Sequence, residues 1–208
     1  MPRADARVAV AAALTVITLG SLTACTPSEE APAPLPSAVW SSSAPEGPLE
    51  GDPWVVAVRA SLEAQAVAVN RNDFSLPSLT ETTSYDLRSR LYGAARDQLA
   101  NGATDVLPGP LPFAPVEVIG VPEDETASVR GCVAEQWASE GGTAPAVPGA
   151  RGIEYRLEQK DGSRVVTATV NVPDLDCSAV ELPVALFDPA PEPSIVDDVE
   201  QIVRPTRD

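Results

Sequence analysis

The chain has 208 residues, 22 of them proline and none histidine, and its 30 Asp plus Glu against 14 Lys plus Arg give a formal net charge of −16. That balance opposes binding to nucleic acid, whose affinity comes largely from phosphates neutralised by Lys and Arg, and it opposes spreading on anionic lipid headgroups. Without histidine, the usual Ser-His-Asp and Cys-His nucleophilic machinery and His-based zinc sites are excluded.

The apolar stretch from Val8 to Leu22 follows Arg3 and Arg7 and is shorter than the roughly 20 residues that span a bilayer core. It ends in small residues before a cysteine, Leu22-Thr23-Ala24-Cys25, and reads as a cleaved export signal over residues 1–24. This run resembles the lipobox of bacterial lipoproteins. The resemblance implies cleavage between Ala24 and Cys25, acylation of Cys25, and a protein held by its lipid on the extracytoplasmic face of the cell membrane. One acyl chain holds only marginally, so two or three make attachment stable. Loss of Arg3, Asp5 and Arg7 with the leader raises the acidic excess of the mature chain to −17.

With Cys25 lipidated, two thiols remain, Cys132 and Cys177. In an exported chain such a pair is expected to form one structural disulfide, and its spacing is far from any CxxC redox or zinc pattern.

Residues 25–52 are dominated by Pro, Ser, Ala and Glu, and they contain too little apolar material to offset the entropy of ordering. The expectation is a disordered tether with Trp40 isolated within it. Asp52-Pro53 then reads as an N-cap followed by proline at the first helical position. Val55, Val58, Leu62, Ala66 and Val69 recur on one face of a helix that ends near residues 70–73. Phe74, Leu76 and Leu79 around Pro77 suggest a short helical turn. Ser84 caps a further helix carrying Leu87, Leu91, Ala95 and Leu99, with Gly102 as its stop.

Beyond the Pro-rich loop at residues 107–115 the period changes to two. Val116, Val118 and Val121 mark a first strand. Ala127, Val129, Gly131 and Val133 mark a second that reaches Trp137, with Gly131 a candidate bulge. Residues 140–150 read as a Gly/Pro/Ala loop. Ile153, Tyr155 and Leu157 form a third strand, residues 160–163 a hairpin turn, and Val166, Ala168, Val170 and Val172 a fourth. Residues 180–187, broken by Pro183, read as an edge strand or a strap, and the acidic Pro-rich tail 188–208 as loosely held.

Helices first and a meandering sheet afterwards is an α+β order, with N-terminal helices packed on a curved antiparallel sheet of about four strands across residues 53–187. The expected core brings Val55, Leu62 and Val69 against Val129, Tyr155 and Val170. The element order, together with the strand ending in Cys132 and a later cysteine after the last strand, resembles the nuclear-transport-factor-2-like (cystatin-like) domains of actinobacterial lipoproteins. That resemblance implies a cone-shaped domain, in some members with a pocket between helix and sheet that serves isomerases or hydrolases.

Chemistry for such a pocket is sparse. Asp174 and Asp176, two apart before Cys177, are the candidate carboxylate pair, but they follow Pro173 in a segment where solvated turn aspartates are common. Tyr85, Tyr92, Tyr155 and Asp73 are candidate pocket groups that no spacing ties together. Trp54 and Trp137 read as packing residues. No Walker or GxGxxG loop is present. The expectation is a membrane-anchored, non-catalytic binding or scaffold module with no cofactor and no metal, meeting an envelope protein or wall component; the alternative is a pocket enzyme.

Overall fold

The computed structural model describes residues 35–103, 105–145, 149–193 and 195–207. The expected export signal, Cys25 and the first part of the expected tether lie outside the described residues.

Among the described residues, eight strands and three α-helices follow in the order β1 (Ser37–Trp40), α1 (Pro53–Arg71), α2 (Pro77–Thr82), α3 (Tyr85–Ala100), β2 (Asp105–Val106), β3 (Phe113–Ile119), β4 (Thr126–Ala134), β5 (Ser139–Glu140), β6 (Ala150–Lys160), β7 (Ser163–Asn171) and β8 (Ala185–Asp188), with a 3-10 turn at Val199–Gln201. The fold is α+β, with helices on one face of a four-stranded antiparallel meander ordered β3-β4-β6-β7. Two short ribbons, β1 with β8 and β2 with β5, stand beside it.

Local chemistry sets the helix ends. Asp52 accepts a hydrogen bond from the Trp54 amide at 2.8 Å and Pro53 opens α1, while Asn72 closes it in the left-handed region at φ 52°. Ser84 accepts from the Leu87 amide at the start of α3. The β6–β7 hairpin turns through Asp161 and Gly162, both at positive φ, the geometry that a two-residue turn matched to strand twist requires.

Helix α1 buries more than one stripe. Trp54, Val55, Val58 and Leu62 meet Phe113, Val129, Val133, Ile153, Tyr155, Leu157 and Val166 of the sheet. Ala64 and Ala68 pack with Phe74, Leu79 and Ala95, and Val69 lies against that second cluster rather than the sheet. Ala66 and Val67 pack with Phe187 of β8.

Val170 is 37% exposed and does not join the core as its spacing suggests. Arg156 pairs with Ala168 and Leu157 with Val166, so Thr167 is an extra residue in β7. This bulge reverses the phase of the strand and places Val170 opposite Glu154 on the outer face. A second bulge leaves Val116 unpaired in β3, on the strand facing Gly131 rather than at Gly131 itself. Gly131 serves close approach instead, because a Cβ there would strike the Ala114 carbonyl and the Phe113 ring.

Ordered structure extends on both sides of the expected domain. Ser37–Trp40, expected as tether, pairs in register with Ala185–Asp188, and Trp40 lies under the Arg59 guanidinium at 5.5 Å. The segment after Pro183 is therefore a strand of this ribbon, not an edge of the main sheet. The tail is held as well. Ile202 is buried beside Phe74, Leu79 and Ala95, Val203 exchanges backbone hydrogen bonds with Asn72 and Phe74, and Arg96 pairs with Glu200 at 2.6 Å. Ile202, with Val196 packed against the same cluster, and a short parallel bridge between Asp73 and Val203 fix this segment.

Cys132 and Cys177 form a disulfide with Cα atoms 5.7 Å apart, joining β4 to the loop after β7. That loop also crosses close over Gly152, whose amide oxygen accepts from the Val172 N–H at 3.0 Å.

Candidate functional site

The sheet face toward α1 is filled by side chains. Tyr155 lies there 1% exposed, edge-on to Phe113 with ring centroids 5.3 Å apart, and its hydroxyl has no hydrogen-bond partner among the described residues. Burial pushes its pKa up, so it stays a neutral phenol at physiological pH and offers no base.

The other two tyrosines sit elsewhere. Tyr92 packs edge-on to Phe74 at 6.0 Å and accepts from Arg96 at 3.3 Å. Tyr85, at the start of α3, opens onto a cleft of about 500 Å³ between the α2–α3 junction and the β6–β7 hairpin. The Arg207 guanidinium stands 5.1 Å from the Tyr85 ring centroid and Arg88 5.8 Å. A hydrogen bond from Arg207, foremost, lowers the Tyr85 pKa. Lys160, the one lysine of the chain, lines the same cleft with Glu81, Asp86 and Glu158. The result is a polar, open surface of mixed charge, suited to binding a polar ligand.

The candidate aspartates are turn chemistry. Asp176 accepts from the Ser178 amide at 3.0 Å and its hydroxyl at 2.7 Å, and these bonds hold its carboxyl below the ordinary value. Asp174 is exposed. Asp73 accepts in the same way from Ser75, at 2.9 and 2.7 Å, just past the end of α1. Among the described residues no group of three or more acidic or thiol side chains is placed to hold a metal ion. Trp54 and Trp137 are packing residues, their indole N–H groups donating to the carbonyls of Val121 and Gly109.

Three charged groupings escape the sequence reading. Glu154, 8% exposed on the outer sheet face, accepts from Arg130 Nε at 2.8 Å and Arg156 Nε at 3.1 Å. Those two cations, Arg130 foremost, hold its pKa below the usual carboxylate value. Its signal was present, because 130, 154 and 156 are the outward positions between inward apolar ones. Arg88 is fully buried, donating to Thr80 Oγ1 at 2.8 Å and to the Thr206 carbonyl at 3.2 Å. Arg59 forks onto Glu50 at 2.7 and 2.8 Å and donates to the Phe113 carbonyl at 3.0 Å. Neither pairing has a local spacing that would announce it.

No family model and no curated protein matches the chain. Among solved structures, the solution NMR structure of a de novo β-sheet design protein is similar over 61% of this chain and 94% of that one, at 15% identity and a TM-score of 0.28, a likeness too slight to bear on fold or function.

Proposed function

We propose that this protein is a lipoprotein anchored through Cys25 on the extracytoplasmic face of the cell membrane, where its domain binds or scaffolds an envelope protein or a wall component without catalysing a reaction. The Cys132–Cys177 disulfide is the observation that carries the compartment, since such bonds persist where thiols are oxidised. It supports export, though not acylation, independently of the N-terminal residues. The filled inner face of the sheet, with Tyr155 buried among its apolar side chains, supports a binding surface over a pocket enzyme.

The test is to grow cells with an alkyne-tagged fatty acid and follow the label. Wild-type protein should carry it in the membrane fraction, and Cys25→Ser should lose it and accumulate as precursor. Intact mass showing an unmodified mature N-terminus elsewhere would overturn the proposal.

A further inference from the structure

We propose that the outward face of the β1–β8 ribbon rests on the lipid bilayer that holds the anchor; this inference depends on the reading of Cys25 as acylated. Ala38 and Phe187 form an inward pair of the ribbon, with Phe187 buried against α1. The next pair, Val39 with Leu186, therefore faces outward, and Val39 is 53% exposed. Leu35, at the same parity as Val39 and just ahead of the strand, is 45% exposed. Two exposed aliphatic side chains and half-buried Leu186 thus lie on the outward side of the ribbon at the start of the described residues.

The length of chain before them selects the occupant. Ser37 lies 12 residues after Cys25, and covalent geometry limits that span to about 43 Å in any conformation. A few aliphatic side chains are far too little to hold a free protein on lipid. Once acyl chains hold Cys25, docking becomes intramolecular, at an effective concentration on the order of millimolar for a short linker, and weak partition is enough. The other exposed aliphatics on and just after the edge strand β3, Val116, Ile119 and Val121, lie much further along the chain from Cys25. Asp188 stands opposite Ser37 at the end of the ribbon and is exposed, so the surface suits zwitterionic lipid and is repelled by anionic lipid.

Acylated protein reconstituted in phosphatidylcholine vesicles, followed by hydrogen–deuterium exchange, tests this. Peptides covering residues 35–40 and 184–188 should exchange several-fold more slowly than in the equally anchored double variant Leu35→Ser, Val39→Ser, with residues 160–165 unaffected. Adding phosphatidylglycerol should reduce the protection. Equal uptake in both proteins, protection at residues 116–121 instead, or stronger protection with anionic lipid overturns the proposal. If the natural protein carries no acyl chain, coupling the Cys25 thiol to a maleimide lipid supplies the same tether. Protection in that sample leaves the ribbon surface standing while the anchor reading falls.

Discussion

Leu62 is 5% exposed between α1 and the sheet, and Leu62→Ala should cost about 2–5 kcal/mol through the cavity it leaves, read as a lower urea midpoint. Tyr155 behaves in the opposite sense. Its buried hydroxyl lacks a partner, so Tyr155→Phe removes an uncompensated desolvation and should raise stability by about 1 kcal/mol; a fall would reveal a bond to that hydroxyl. Glu154 gives a pH signature. Its folded pKa is depressed, so its contribution is complete above the unfolded value, roughly 4.3, and is lost as pH falls through the folded one. Glu154→Gln should flatten the acid limb of the stability–pH curve and leave the slope above about pH 6 unchanged. Carboxyl titration by NMR bears on the proposed function as well, because a carboxyl titrating above about pH 6 would mark a catalytic acid or base.

At the scale of elements, the disulfide closes a loop with a sequence separation of 45, for which the chain-entropy account gives about 4 kcal/mol. Replacing both cysteines by serine should lower stability by that order in chemical denaturation. What was legible here follows from range. The starts of α1 and α3 and the hairpin at Asp161–Gly162 are fixed by residues within a few positions, and each was readable from its cap or turn. The ribbon was not, because Ser37–Trp40 finds its partner only at Ala185–Asp188 and carries no periodicity of its own. Val170 was misplaced by a single extra residue, Thr167, since a period of two has no memory across a bulge. The site fared similarly. The disulfide followed from counting thiols, whereas the Tyr85–Arg207 cleft joins the start of α3 to the last described residues of the chain, a pairing no spacing encodes.

At the scale of the whole described domain, stability should depend on its C-terminal segment far more than composition implies. Ile202 plugs the cluster of Phe74, Leu79 and Ala95, and the Thr206 carbonyl accepts from buried Arg88. Ile202→Ala should cost at least about 2 kcal/mol, measured by thermal or urea unfolding, while Ile195→Ala, at a position 96% exposed, should be silent. The domain also has two distinct ends along its strands. Phe113 lies at the end where Trp40 and Ala185 adjoin, and the Tyr85 cleft lies at the end of the Lys160–Ser163 turn. A partner bound in the cleft would meet the end of the sheet away from the ribbon.

The short β1–β8 ribbon also decides how the domain answers to force. In a molecule held at Cys25 and tugged through a bound partner, tension enters at Ser37, the terminal pair of a four-residue strand. Where the force runs across the ribbon, its backbone bonds to β8 open in sequence rather than together, so β1 peels away before the disulfide-braced sheet is loaded. Release as far as the Asp52 cap of α1 frees 15 further residues, counted from Ser37 to Asp52, and lengthens the leash by their contour length of about 50 Å less the folded distance between those two residues. Single-molecule pulling from Cys25 should therefore record a low-force extension of that size ahead of the main rupture. The strand would act as a mechanical fuse, letting such a molecule yield to strain between its anchor and its partner while its folded body stays intact.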